Sequence, residues 1–125
     1  MKKTRTFLLW VAAKVSLTLI LAVLCVACAS SGDSSEEGQA FLMRGKQYAS
    51  NGEYENAVEE YTEALLRFRR NSGDAAFVHQ VRGNAYREMG DYDRAIADYE
   101  ASLRIVPDNP GVMQALEEAR QARAR

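Results

Sequence analysis

One pattern of residues occurs twice in this chain at a constant interval. Around Gly45 the sequence runs Arg44-Gly45-x-x-Tyr48, then Gly52-x-Tyr54-x-x-Ala57-x-x-x-Tyr61-x-x-Ala64. Around Gly83 it runs Arg82-Gly83-x-x-Tyr86, then Gly90-x-Tyr92-x-x-Ala95-x-x-x-Tyr99-x-x-Ser102. Every marked position follows its counterpart by the same step, the one that leads from Gly45 to Gly83. Such recurrence is the mark of stacked supersecondary units, each burying a face against the next. A chain built this way makes surfaces rather than reaction pockets, which turns the functional question from chemistry to binding.

The apolar spacing from Gln39 onward is helical. Phe41, Gly45 and Tyr48 share one face of a first helix, and Gly52 stops it by taking the left-handed conformation. Tyr54, Ala57, Val58, Tyr61, Ala64, Leu65 and Phe68 line one side of a second. Asn71-Ser72-Gly73-Asp74 reads as a loop with Asp74 as the next N-cap. A third helix then carries Phe77, Val78, Val81, Ala85, Tyr86 and Met89 and ends at Gly90. Asp91 caps a fourth, with Tyr92, Ala95, Ile96, Tyr99, Leu103 and Val106 inward. Asn109 followed by Pro110 is a strong start signal for a fifth, with Val112, Met113, Leu116 and Ala119 on one side. The expected fold class is all-α.

The small residues say how the helices meet. Gly45 and Ala57 fall on facing sides of one helix pair, Gly83 and Ala95 on facing sides of the next. Two antiparallel helices approach closely only where side chains are small, and the rings of Tyr48, Tyr61, Tyr86 and Tyr99 fill the space beside the contact.

This pattern resembles the tetratricopeptide repeat, a helix-turn-helix unit of about 34 residues. In a first copy, 38–71, Phe41, Gly45, Tyr48, Ala57, Tyr61 and Ala64 stand at the family's signature places. In a second, 76–109, Gly83, Tyr86, Ala95, Tyr99, Ser102 and Pro107 do, with His79 at an aromatic place. Arg44 and Arg82 occupy a place where the family prefers leucine, and Arg69 replaces the first copy's proline. Ser72 to Ala75 are extra residues between copies, expected to lengthen the turn or the end of the second helix. The resemblance implies an α-solenoid fragment of two units, with 110–125 as a capping helix.

The segment 1–29 does not read as part of that domain. Lys2, Lys3 and Arg5 precede an apolar stretch, Phe7 to Ala29, broken by Lys14. Its uninterrupted part, Val15 to Ala27, has the length of a signal-peptide core. Val26-Ala27-Cys28-Ala29-Ser30 resembles a bacterial lipobox, which implies removal of 1–27 and a lipid on Cys28. Cys25 stands where that family usually has leucine. Two alternatives stay open: a secretory signal cut after Ala29, and an uncleaved anchor. By the same resemblance, Ala29 after the cysteine favours the outer membrane where a cell has two. Residues 28–38 are expected to form a flexible tether, since Ser30 to Gly38 has no apolar residue to bury.

Composition and motif content exclude several classes. Four of the 16 basic residues precede Cys28, leaving 12 against 17 acidic ones and a net charge of −5, which argues against nucleic acid. Cys25 and Cys28 both lie in the leader, so no disulfide framework is expected. His79 is the single histidine and reads as a packed core residue, without companions for a metal site. Asp91, Asp93 and Asp98, like Glu59, Glu60 and Glu63, fall mostly on solvated faces by helical spacing. No catalytic residue and no cofactor are expected.

Binding residues follow from the resemblance, which assigns the concave surface to the first helix of each unit. Here it carries Leu42 and Lys46, then Phe77, Gln80, Asn84 and Arg87. Lys46 and Arg87 suit a carboxylate or acidic peptide, Asn84 a peptide backbone, Leu42 and Phe77 apolar contact; a plain solvated face is the alternative. The expected function is a membrane-tethered adaptor for another envelope protein or peptide, which self-association through an exposed helix face would extend. The rival is a ligand-binding accessory of a transport system.

Overall fold

A computed structural model describes residues 33–125, and they form five helices. These are α1 (Asp33–Ser50), α2 (Tyr54–Arg67), α3 (Gly73–Glu88), α4 (Tyr92–Ile105) and α5 (Pro110–Arg123), with no strand among the described residues. The all-α architecture is the one the periodicity implies. The leader, the lipobox and Cys28 lie outside the described residues. No helix among those described is long and apolar enough to cross a membrane.

Each boundary has a local cause. Gly52 and Gly90 turn the chain after α1 and α3 with φ of +80° and +78°, a conformation costly to any residue with a Cβ. Asp91 accepts a hydrogen bond from the Arg94 backbone N–H and Asn109 one from Val112, so both act as N-caps, with Pro110 opening α5. The cap of α3 is Ser72, which accepts from the Ala75 N–H at 3.1 Å, and not Asp74. Asp74 lies in the first turn instead, where its charge suits the helix N-terminus. The extra residues Ser72 to Ala75 therefore lengthen the start of α3, not the end of α2, which stops at Arg67 before an extended Phe68.

The pairs α1–α2 and α3–α4 are antiparallel and meet at their glycines. A Cβ on Gly45 would lie 2.5 Å from the Tyr61 Cε1, and one on Gly83 would lie 2.9 Å from the same atom of Tyr99. The partner of each glycine is thus mainly a tyrosine ring, with the Ala95 carbonyl oxygen 3.3 Å from the Gly83 position. Ala57, Ala64 and Ala95 are wholly buried, and Tyr61 and Tyr99 are 2% and 0% exposed. Burial raises the pKa of both phenols above the ordinary tyrosine value, so the rings stay neutral across the physiological range.

Two apolar clusters run through the stack. One joins Leu42, Tyr61, Phe68, Val78 and Ala85 across α1, α2 and α3. The other joins Tyr86, Ile96, Tyr99, Val112 and Leu116 across α3, α4 and α5. Val58 packs against both. Of the apolar residues expected along the helices' apolar sides, Met89, Val106 and Met113 are exposed, as is Phe77, which the resemblance assigns to the binding surface.

The expected tether is shorter than 28–38. Helix α1 already begins at Asp33, and Gly38 is buried, close to the Phe68 ring. Glu37 accepts from the Arg67 guanidinium at 3.1 Å. A turn anchored at Gly38 and Glu37 lets the helix propagate back through a polar stretch, since extending a formed helix costs far less than starting one.

Gly45→Ala should lower stability by about 1–2 kcal/mol, the overpacking cost exceeding the gain of about 1 kcal/mol in helix propensity. Gly83→Ala should lose less, because its clearance is larger. Urea unfolding of both variants checks the order.

Candidate protein-binding surface

The first helices of the pairs, α1 and α3, lie side by side, and α5 continues the row against α3. Gln39 of α1 donates to Asp74 of α3 at 3.4 Å, and Arg87 of α3 reaches Glu118 of α5 at 3.5 Å. The face they share holds most of the residues assigned to a binding surface. Lys46 Nζ sits 4.8 Å from the centroid of the Phe77 ring, a cation–π contact. Phe77 remains 39% exposed and Lys46 is exposed beside it. Gln80, Asn84 and Arg87 are half-buried along α3.

Three of the six side chains differ from their expected roles. Leu42 is only 5% exposed and belongs to the core, so it offers no contact to a ligand. Asn84 accepts the Tyr99 hydroxyl at 2.7 Å through Oδ1; its NH2 group alone is left to serve a peptide carbonyl. Arg87 is shared between Glu118 and the neighbouring Glu88, 3.2 Å away. Such half-exposed pairs are worth about 0–1 kcal/mol, so a ligand carboxylate can replace Glu118. Glu118 was not legible as part of this face, because its place depends on α5 lying beside α3.

The second polar group of note lies between α3 and α4 of the second unit, with one bond to α2. Arg82 grips Asp98 with both ends of its fork, Nε to Oδ2 and Nη2 to Oδ1, each at 2.8 Å. Arg82 Nη1 also donates to Thr62 Oγ1 of α2 at 2.9 Å. His79 Nδ1 lies 2.9 Å from Asp98 Oδ1. Since an ionised carboxylate only accepts, that nitrogen carries the proton. Asp98 is 5% exposed, which corrects its assignment to a solvated face. Burial alone would raise its pKa, but hydrogen bonds from Arg82 and His79 and their charge outweigh that and hold it below the ordinary value. Both carboxylate oxygens are occupied, so the group fastens helices rather than handling a substrate.

A signal for this network did exist. Arg44 and Glu60 take in the first copy the places that Arg82 and Asp98 take in the second, and they too form an ion pair, at 2.7 Å. A cation and an anion recurring together in both copies mark a pair.

Among the described residues no group of three or more His, Cys, Asp or Glu is placed to hold a metal ion. Two hollows are found among the described residues, neither lined by Lys46, Phe77 or Arg87. One of about 150 Å³ is lined by Arg44, Gln47, Tyr48 and Asn51. A wider one of about 550 Å³ lies between Met89–Asp93 and Ala122–Arg123.

A family model described as tetratricopeptide repeat matches residues 37–108. Among curated proteins nothing matches significantly. The crystal structure of MamA protein is similar with a TM-score of 0.65 at 22% identity, covering 74% of this chain and 48% of that one. The present chain thus spans about half the length of that structure, and the likeness is one of fold. The first TPR of Spaghetti (RPAP3), bound to an HSP90 peptide, aligns with a TM-score of 0.44 at 20% identity over 73% of this chain and 98% of that one.

Asp98→Asn should destabilise the domain by about 2–4 kcal/mol, because it leaves the Arg82 guanidinium partly buried without its counter-charge. The pH dependence has a definite sign. A carboxyl held low when folded contributes fully above the ordinary carboxylate pKa of about 4 and loses that contribution as pH falls through its lower folded value. Thermal melts between pH 7 and 2 should therefore show a smaller acid loss for the variant than for the parent.

Proposed function

This chain belongs to the tetratricopeptide repeat family, and on that premise we propose that it is a membrane-tethered adaptor that docks another envelope protein through the row of first helices. The fold itself supports a protein–protein interaction adaptor, since such repeats are typically non-catalytic scaffold modules. The tether and the envelope setting rest on the sequence, namely the basic start, the apolar core and the lipobox-like Val26-Ala27-Cys28. Two or three acyl chains on Cys28 would hold the domain stably, each buried methylene adding about 0.8 kcal/mol.

The observation that carries the docking face is Lys46 standing over an exposed Phe77 ring, with Arg87 further along the same row and held only by surface carboxylates. An apolar ring under one exchangeable cation, with a second cation further along α3, suits an acidic peptide segment with one apolar side chain. The NH2 group of Asn84, between them in sequence, suits a backbone carbonyl. Binding of this kind is expected to weaken with salt, because the cations are exposed.

Changing Lys46 and Arg87 together to alanine should reduce recovery of a stoichiometric partner from detergent-solubilised envelope while shifting the thermal midpoint little. Unchanged recovery removes this face from the account. Cys28→Ser should move the protein from the membrane to the soluble fraction, and retention in the membrane would indicate an uncut anchor.

A further inference from the structure

Helix α5 divides its charges between two neighbours. Arg120 and Arg123 turn to Glu100 and Asp93 of α4, at 2.9 and 3.1 Å. Glu118 turns the other way and meets Arg87 of α3, with Oε2 3.5 Å from Nη1. It has a second hold on that side, because its Oε1 accepts from Gln114 Nε2, one turn earlier, at 2.8 Å. The carboxylate therefore belongs to the row of first helices whether or not Arg87 is engaged with it.

Arg87 stands between two carboxylates. Its Nη2 lies 3.2 Å from Glu88 Oε1, while its Nη1 faces Glu118. The three side chains are 32%, 47% and 52% exposed for Arg87, Glu88 and Glu118, so water screens their pairing and either contact is exchangeable. The same three charges converge on the Tyr99 hydroxyl, which donates to Asn84 Oδ1. Burial raises that phenol most, Arg87 lowers it, and Glu88 and Glu118 raise it further. This end of the row thus carries more negative charge than positive, although Arg87 is the cation that suits an incoming acid.

A segment that is acidic alone meets a conflict here. Its carboxylate can take the place of Glu118 at Arg87, but Gln114 keeps Glu118 beside the newcomer, and like charges at such range repel. A basic side chain on the same segment removes the conflict. The acid then takes Arg87, the base takes Glu118, and one ion pair becomes two. On the premise that the row is the docking face, we propose that Glu118 sets its charge specificity: the row selects a partner segment that carries a basic residue close to its acidic one, over a segment that is acidic alone.

The test uses the full chain in detergent and three sets of labelled synthetic peptides, each peptide with a single Leu at varied positions. The acidic set carries two Asp, the mixed set one Asp and one Lys, and the neutral set Asn in place of both. Fluorescence anisotropy should show the best mixed peptides binding more tightly than the best acidic ones by up to about fivefold, the span of one half-exposed ion pair. Glu118→Gln should reverse that order, weakening the mixed set and strengthening the acidic one, with Glu118→Ala doing the same. Glu117→Gln removes the same charge from the same helix, where the carboxylate accepts from Gln121 instead, and should leave the order as it is. A parent chain that prefers the acidic set, an order that Glu118→Gln does not change, or one that Glu117→Gln changes equally overturns this specificity and leaves the docking face standing. Binding by no set, or binding indifferent to the Lys46 and Arg87 double alanine variant, overturns the docking face and the specificity with it.

Discussion

The structure depends on a glycine lying against a tyrosine ring in each helix pair. Gly45 and Gly83 leave no room for a methyl group, so the backbones of α1 and α3 come within contact of Tyr61 and Tyr99. That approach buries Ala57, Ala64 and Ala95 completely and sets each pair as a rigid plate. Everything else is placed by the plates. The row of first helices and the Lys46–Phe77 contact exist because the two plates stack, and the Arg82–Asp98 bond lies within the second plate. Surface ion pairs such as Arg120–Glu100 and Arg123–Asp93 decorate the result and add little to it.

The fold was legible because its signals are local and doubled. Gly52 and Gly90 mark turns that only a left-handed residue makes easily, and Asn109-Pro110 marks a helix start without reference to anything distant. Where structure departs from expectation, the deciding contact is long-range. Polar residues 33–38 join α1 because Phe68 and Arg67, some thirty positions later, hold Gly38 and Glu37. Ser72 displaces Asp74 as a cap because the chain enters α3 earlier than the repeat register suggests.

The binding face was partly legible for the same reason. The family resemblance assigns Phe77, Lys46 and Arg87 to one surface, and they do lie along adjoining first helices. It does not say that Leu42 falls inward where α1 meets its neighbours, nor that Tyr99 reaches Asn84. Asp98 gives the clearest case. It stands three residues after Ala95 and four before Ser102, on the buried face, and lies under an arginine fork, while Asp93 on the opposite face is 80% exposed. What the periodicity of one helix does not contain is the partner, the Arg82 fork supplied by the facing helix.

Helix α2 has obligations on both sides. Its alanines and Tyr61 complete the first plate, while Val58 and Thr62 close the second over Arg82. Melting α2 would thus flood a charge bond that belongs formally to its neighbour. Repeat arrays can unravel unit by unit when the seams between units are weak. Here the seam carries the packing of Val58 against both clusters and the Arg82–Thr62 hydrogen bond, so half-opened forms are penalised and the two units should come apart together, in a single cooperative step.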